Sequence, residues 1–296
     1  MKILAIVVLT VCVFCNQHLN DKYHDVLHGQ NPIAEDISRQ IYGQFKSVYS
    51  LQSESRYQIF SAKLEEMRQH NLLGLSWTQG INDYSDLTFE EFMGLRLMAP
   101  QNCSATQNLK LKESARSISI PDEHEWSSLG MVTPVKNQGN CGSCWTFSTV
   151  GAMESHWNIL GKGKNLTFSE QQLVDCAGGY NNHGCNGGLP SQAFEYIRSI
   201  PSGLESDKTY PYTGRDGKCV YRPQNGIAYL KYGAYNITQG NETELAERLY
   251  SVGPISIAFE VITGFQSYRT GVYTTTKCGK TTKDINHAVL ATGYGF

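Results

Sequence analysis

Cysteine is distributed very unevenly along this 296-residue chain, and this constrains the fold more than any other feature. Two cysteines lie within the first 17 residues, and residues 18–98 contain none. The other seven are Cys103, Cys141, Cys144, Cys176, Cys185, Cys219 and Cys278. An odd number of cysteines in an exported protein indicates a thiol kept free, or partners that lie elsewhere. We therefore expect a cysteine-free first part and a disulfide-bonded second part.

The N-terminus has the pattern of a secretory signal peptide, which we place at residues 1–17. Lys2 precedes the apolar run Ile3–Phe14, and polar residues follow. A membrane anchor is the alternative, but a spanning helix needs about 20 apolar residues. We expect a lysosomal or extracellular protein without stable membrane association. Four sequons are candidate glycosylation sites: Asn102, Asn165, Asn236 and Asn241. The net charge of −2 argues against a nucleic-acid partner.

Residues 18–98 have the composition of polar, charged helices. Apolar side chains recur at spacings of three or four residues, which predicts amphipathic helices. These positions are Ile41, Phe45, Val48, Phe60, Leu64 and Met67. Thr88 begins another short helix, and residues 99–118 are polar and serine-rich, as expected of a linker or processing region.

The second half combines helices with a strand-rich end, which predicts an α+β fold with two lobes. A buried helix is predicted from Cys144 towards Leu160, with Ser143 as its N-cap. Ser169–Gln172 has the sequence of a capping box. Further helices are predicted behind Pro190 and over Glu242–Ser251, the latter capped by Asn241. Strands are predicted within 227–237, 253–261, 271–275 and 287–295.

The segment Gln138-Gly-Asn-Cys-Gly-Ser-Cys144-Trp carries the strongest chemical signal. A cysteine in the first turn of a helix meets unpaired N–H groups that favour the thiolate, which is the nucleophilic form. His287, 143 residues downstream, is the candidate base, and together they would form a thiolate–imidazolium pair. The Gln138 side chain and the Cys144 backbone N–H would form an oxyanion hole.

Two other interpretations apply to the same residues. Cys141 and Cys144 form a Cys-x-x-Cys pair, which could be redox-active or bind zinc. A zinc site needs a second pair of ligands, and His183 near Cys185 is the one hint of it. His287 taken alone could be a core histidine. We expect neither a metal nor another cofactor.

These motifs resemble those of the papain-like cysteine proteases, from the N-terminal helices to the last residue. The matching blocks are PVKNQGNCGSCWTFSTVGAMES, SEQQLVDC and GCNGG. Arg56, Phe60 and Asn71 have the spacing of the family's inhibitory prodomain helix. Gln52, Lys63 and Met67 depart from that pattern, and Gly80-x-Asn82-x-Tyr84-x-Asp86 resembles the second prodomain motif.

The resemblance implies a helical inhibitory prodomain followed by a two-lobed papain-like fold. In that fold a central helix starts at the nucleophile and a β-barrel-like lobe, incomplete here, follows it. It implies disulfides Cys141–Cys185 and Cys176–Cys219, with Cys144 left free. It also implies peptide and protein substrates, with the chain's own propeptide as inhibitor. The implied substrate-binding residues are Gly187, Gly188, Leu189, Pro190 and Ala288.

Within the family, residues 99–106 resemble the mini-chain of cathepsin H-type aminopeptidases. In those enzymes this segment stays disulfide-bound and offers its terminal carboxylate, here that of Thr106, to the α-ammonium group of the substrate. A fixed anion at one end of a cleft selects charged N-termini. The resemblance thus implies mainly aminopeptidase and some endopeptidase activity, a propeptide at 18–98, an excised linker at 107–118 and a peptidase domain at 119–296.

The chain departs from the family at its end, Gly293-Tyr-Gly-Phe296, where no Asn-Ser-Trp-Gly block follows. In the family an asparagine of that block orients the histidine. The expected partners of Cys103 and Cys278 would also lie beyond residue 296, unless these two bond to each other. We expect this 296-residue form to be poorly folded or inactive. The alternative function is a non-catalytic product whose prodomain, Leu51–Asp86, inhibits other proteases.

Overall fold

The structure is a computed structural model that describes residues 13–49, 51, 54–99, 118–163, 166–279 and 281–295. The described residues separate into two compact units. The N-terminal unit contains the chain up to Gly94 and the segment Val261–Cys278. The C-terminal unit contains Leu95–Glu260 and the residues from Gly279 onward. A search of the described residues finds no helix suited to cross a membrane.

Helices dominate the N-terminal unit, as the apolar periodicity predicts. They are α1 (Val13–Lys22), α2 (His24–Leu27), α3 (Glu35–Tyr49), α4 (Tyr57–Leu72) and α5 (Phe89–Arg96), whose last two residues belong to the other unit. The core of this unit includes Leu19, Ile41, Phe45, Phe60, Leu64 and Met67. Because Met67 is fully buried in this core, one departure from the family pattern is accommodated as an apolar contact.

Side chains of the prodomain motifs connect the elements of this unit. Arg56 forms an ion pair with Glu91 at 2.6 Å. The Asn71 amide donates to the carbonyl of Gln79 at 3.0 Å, and its oxygen accepts the Gln79 N–H at 2.8 Å. Gln79 ends β1 (Trp77–Gln79), which pairs antiparallel with β4 (Tyr268–Gly271).

The C-terminal unit combines four helices with two antiparallel strand pairs. The helices are α6 (Cys144–Ile159), α7 (Glu170–Cys176), α8 (Pro190–Ser199) and α9 (Glu242–Ser251). The strands are β2 (His124–Glu125), β3 (Ile255–Phe259), β5 (His287–Ala291) and β6 (Gly293–Tyr294), in the pairs β2–β6 and β3–β5. The described strands therefore form no closed barrel.

Helix α6 lies in the centre of this unit, as its apolar sequence predicts. Trp145 and Val150 are fully buried, and the helix packs against β5 and β3. Its one acidic side chain, Glu154, is also fully buried and pairs with Lys136 at 2.6 Å. Lys136 reaches Glu170 on α7 at 2.7 Å as well, so an ionic cluster connects α6, α7 and the segment before Gln138.

Two strand predictions were wrong, and a predicted capping box formed only in part. Residues 227–237 form no strand beyond a single bridge from Ala228 to Leu204, and 271–275 is not a strand beyond Gly271, because a strand needs a partner. Ser143 is the N-cap of α6, as predicted, although its hydroxyl bonds to Tyr212 and not to an N–H of the helix. Ser169 caps α7, whereas the Gln172 side chain accepts the Glu205 N–H, so the box is not reciprocal.

Candidate active site

The candidate nucleophile, Cys144, is the first residue of α6 and is 1% exposed. The chain before it is held by a disulfide between Cys141 and Cys185. The N–H of Gly142 also donates to the Cys185 carbonyl at 2.8 Å. A side chain on Gly142 would come within 2.4 Å of that carbonyl, so glycine is needed where the two segments meet. The approach to the helix N-terminus is therefore fixed.

His287 is the first residue of β5 and is 4% exposed. In the β3–β5 ladder it is the register partner of Phe259, whose ring meets the imidazole edge-on at a centroid distance of 5.8 Å. The next residue, Ala288, donates its backbone N–H to Sγ of Cys144 at 3.5 Å. This contact places the backbone at the start of β5 beside the sulfur.

Burial favours the neutral form of both side chains. Burial raises the pKa of the Cys144 thiol to about 11, although N–H groups such as that of Ala288 oppose the shift. Burial also lowers the pKa of His287 to about 4. Nδ1 of His287 is buried without a hydrogen-bond partner among the described residues. In this covered state burial therefore disfavours the thiolate–imidazolium pair expected from sequence, because neither charge is solvated.

The segment Arg96–Ala99 covers the site. Met98 is 2% exposed and belongs to the same apolar cluster as Cys144 and Ala288. Its N–H donates to the Asn286 carbonyl at 3.0 Å, and the Ala99 N–H donates to the Asn186 carbonyl at 3.2 Å. The backbone of Met98 and Ala99 is therefore bonded to two separate segments beside Cys144, and we call the space between these segments the cleft.

Gln138, the predicted oxyanion donor, already holds a carbonyl group. Its Nε2 donates to the Arg96 carbonyl and to the Cys141 carbonyl, each at 2.8 Å. An oxyanion develops on a carbonyl oxygen. Because Nε2 of Gln138 already donates to carbonyl oxygens, it is suited to stabilise an oxyanion.

Residues predicted to bind substrate line or adjoin a cavity of about 520 Å³. Leu189 and Pro190, at the start of α8, form part of its wall. Ala288 is the register partner of Ala258, which also lines the cavity. Ala258 was not among the residues predicted to bind substrate, although register partners share a face of a sheet and the alternation of 253–261 could have indicated it.

Gly187 and Gly188 approach their surroundings in ways that suit glycine. Gly187 has φ 120°, in the region that side chains disfavour. A Cβ on Gly188 would lie 2.7 Å from the Trp145 ring and 2.5 Å from Oδ1 of Asn182. Asn182 also accepts the N–H of Leu189 at 2.9 Å, so it supports the cavity wall.

The remaining candidates are disulfide cysteines, zinc ligands, glycosylation sites and residues that fall outside the described parts of the chain. A second disulfide joins Cys176 to Cys219. Because Cys141 and Cys185 are bonded to each other, they are not zinc ligands, and the described residues contain no metal-binding cluster. Of the sequons, Asn241 is exposed and caps α9 through Oδ1, and Asn236 is half-buried. The candidates outside the described residues are Gln52, Asn102, Cys103, Thr106 and Asn165.

Comparison with known proteins places this geometry in a family. Residues 120–296 match the papain family of cysteine proteases, and residues 44–92 match the cathepsin propeptide inhibitor domain. The thiol protease aleurain of Arabidopsis thaliana is 45% identical over 315 residues, covering 99% of this chain and 86% of that protein. Pro-cathepsin H of Bos taurus is 49% identical over 242 residues, covering 81% of this chain and 70% of that protein.

Solved structures of proteases with their propeptides are similar as well. Digestive procathepsin L2 from the larval midgut of Tenebrio molitor has a TM-score of 0.77 and 35% identity, over 88% of this chain and 86% of that one. The recombinant stem bromelain precursor has a TM-score of 0.73 and 30% identity, over 87% and 82%. This chain therefore belongs to the papain family of cysteine proteases and is a precursor with a propeptide inhibitor domain.

Proposed function

We propose that Cys144 and His287 are the nucleophile and the general base of this protease. The observation that carries the proposal is the Ala288 N–H bond to Sγ of Cys144, in a region that matches the papain family. It brings the start of β5 to the N-terminus of α6, where the helix dipole favours a thiolate. Once Met98 leaves the cleft, water can solvate both groups, and the thiol proton can pass to the imidazole.

The proposed reaction gives each of the three groups a separate role. The Cys144 thiolate adds to the carbonyl carbon of the scissile bond, and the oxygen takes the negative charge. Gln138 and the Cys144 N–H donate to that oxygen. The imidazolium of His287 protonates the departing amine, which leaves a thioester on Cys144. His287 then removes a proton from a water molecule, whose oxygen adds to the thioester carbon. The C–S bond breaks, which releases the peptide as its carboxylic acid and restores the Cys144 thiolate.

The proposal requires that the precursor is inactive until Arg96–Met98, the end of the propeptide, leave the cleft. We propose cleavage into a signal peptide (1–17), a propeptide (18–98), a mini-chain (99–106), an excised linker (107–118) and a peptidase domain (119–296). The contacts of Met98 and Ala99 in the cleft support the propeptide as inhibitor of its own enzyme. The substrates would be peptides and proteins, in the lysosome or outside the cell.

We further propose that aminopeptidase activity predominates. The support is the resemblance of residues 99–106 to a mini-chain, together with the similarity to relatives named pro-cathepsin H. The carboxylate of Thr106 would attract the α-ammonium group of a substrate and disfavour a blocked N-terminus.

A pair of reporters tests this specificity on the full chain, activated at acid pH. One is an aminoacyl amide with a free α-amine and the other is its N-acetylated form. We expect at least tenfold preference for the free amine, and loss of that preference when residues 99–106 are deleted. Cys144→Ala should abolish both activities, whereas Ser155→Ala on the same helix should keep them. Equal rates on both reporters would refute the aminopeptidase assignment.

A second candidate function, inhibition of related proteases, is favoured by the separate core of the N-terminal unit. The full chain carrying Cys144→Ala cannot hydrolyse peptides, so it can be added to an active papain-family protease. Reduced turnover that is restored by Phe60→Asp, a change in that core, would support inhibition in trans.

A further inference from the structure

The hydroxyl of Tyr212 lies between two segments that the reaction requires to be aligned. It is 2.6 Å from the carbonyl oxygen of Gln138 and 2.6 Å from Oγ of Ser143. Gln138 carries the candidate oxyanion donor, and Ser143 is the N-cap that precedes Cys144. Tyr212 itself comes from a distant loop, 69 residues after Ser143.

The direction of each hydrogen bond follows from the available protons. A carbonyl oxygen accepts only, so the Tyr212 O–H donates to Gln138. The single phenolic proton is then used, and the Ser143 hydroxyl must donate to the Tyr212 oxygen. The result is a directed chain from Ser143 through Tyr212 to the Gln138 backbone.

The Tyr212 hydroxyl keeps its proton at neutral and acid pH. Burial raises the pKa of Tyr212 to about 12, although the bond from Ser143 opposes the shift. The ring also meets Phe147, one turn into α6, edge-on at a centroid distance of 5.0 Å. The hydroxyl is therefore protonated and fixed in place by the helix that carries Cys144.

The two oxyanion donors belong to different stretches of chain, and their convergence needs a common support. The Cys144 N–H is fixed by α6, whereas Nε2 of Gln138 depends on the loop before the Cys141–Cys185 disulfide. Lys136 anchors one end of this loop through Glu154 and Glu170. Beyond it, Gly139 turns with φ 60°. The bond from Tyr212 holds the Gln138 backbone between that anchor and that turn.

We propose that Tyr212 is a positioning residue that holds Gln138 in line with the N-terminus of α6, so that both donors reach one oxyanion. This inference rests on the proposed function, because it assumes that Gln138 stabilises the oxyanion. Displacement of a donor by about 1 Å is enough to weaken such stabilisation strongly.

Two probes of the activated full chain separate positioning from folding. A peptidyl aldehyde binds by addition of the Cys144 sulfur to its carbonyl carbon, and its oxygen takes the thiol proton and occupies the oxyanion hole. Iodoacetamide alkylates the same sulfur with loss of iodide and needs no oxyanion hole. We expect Tyr212→Phe to weaken aldehyde binding about tenfold and to leave the alkylation rate within about twofold.

Tyr210→Phe is the matched control. Tyr210 is buried two residues earlier, but its hydroxyl donates to Asp175 at 2.8 Å and accepts the Val220 N–H at 3.2 Å. Loss of that hydroxyl should leave aldehyde affinity unchanged, even if it lowers the melting temperature.

A double variant gives the decisive result. If Tyr212 acts through Gln138, the tenfold effect of Tyr212→Phe disappears when Gln138→Ala is already present. Unchanged aldehyde affinity in Tyr212→Phe, or an undiminished effect in the double variant, would overturn the inference. If Gln138→Ala by itself leaves aldehyde affinity unchanged, the oxyanion role of Gln138 fails as well, which distinguishes the two failures.

Discussion

The backbone N–H of Ala288 donates to Sγ of Cys144 at 3.5 Å, and this contact joins the two halves of the candidate site. One partner begins a helix and the other lies in a strand 144 residues away. The bond would strengthen if the sulfur became a thiolate, because hydrogen bonds to a charged acceptor are stronger. In the covered state, however, desolvation outweighs this contribution and the thiol stays protonated.

The buried thiol should react slowly in the precursor. With the pKa of Cys144 raised from 9.0 to about 11, the thiolate fraction at pH 7 is about a hundredfold lower than in an exposed thiol. We expect iodoacetamide to alkylate Cys144 in the native full chain at least about a hundredfold more slowly than in the same chain unfolded in urea with its disulfides intact. Peptide mass spectrometry measures both rates, and similar rates would show that the site is open.

Burial of His287 should make stability depend on pH. Its pKa is lowered from 6.5 to about 4, so between these values the unfolded chain binds the proton more readily. Because of His287, the free energy of unfolding is at its full value above pH 6.5. It falls by about 3 kcal/mol in all as the pH is lowered through 4.

Urea unfolding of wild type and His287→Gln at pH 7 and pH 4 measures this effect. The comparison is needed because Glu170, whose pKa burial raises to about 7, contributes in the opposite direction. The difference in unfolding free energy between wild type and variant should shift by about 3 kcal/mol between the two pH values. A difference independent of pH would contradict the assignment of a neutral, buried His287.

Charge at Met98 should open the precursor. Met98→Glu would place a carboxylate in the apolar cluster around Cys144, where an unpaired charge is strongly disfavoured. We expect faster alkylation of Cys144 without cleavage of the chain. Met93→Glu is the control, because Met93 is 37% exposed. Equal alkylation rates in the two variants would show that Met98 does not seal the site.

Loss of Lys136 should destabilise the C-terminal unit strongly. Lys136→Met leaves Glu154 and Glu170 buried beside each other without a cation, which costs about 3–5 kcal/mol. Arg198→Met breaks the exposed pair with Glu195 and should cost at most about 1 kcal/mol. Urea unfolding at pH 7 measures both, and adding Glu170→Gln to Lys136→Met should restore part of the loss.

Local signals predicted the helices well. Pro190 and Asn241 mark the first residues of α8 and α9 because a proline at N1 and an asparagine cap act within one turn. The strand predicted at 227–237 failed, since a ladder depends on a partner elsewhere in the chain. The Ser143 hydroxyl bonds to Tyr212 and not to its own helix. The Gln172 side chain likewise bonds to Glu205, and no local sequence pattern reveals such distant partners.

The site itself was only partly predictable. The motif around Cys144 and the sequence distance to His287 indicated which residues to consider as nucleophile and base. Their protonation could not be predicted, because it depends on Met98, which reaches the cleft from 46 residues before Cys144. The role that we assign to Tyr212 could not be predicted either, because it depends on contacts with Gln138 and Ser143, which are far away in the sequence.

Because β3 and β5 pair over five residues, we expect activity to depend on the alignment of these two strands. Side chains alternate between the faces of a sheet, so sliding β5 by one position past β3 would turn every side chain of β5 to the opposite face and remove the contact between Ala288 and Cys144. Such a chain could keep its disulfides and its helices while the side chains of β5 lost their burial. A thiol-reactivity assay on Cys144 would then identify the misaligned fraction.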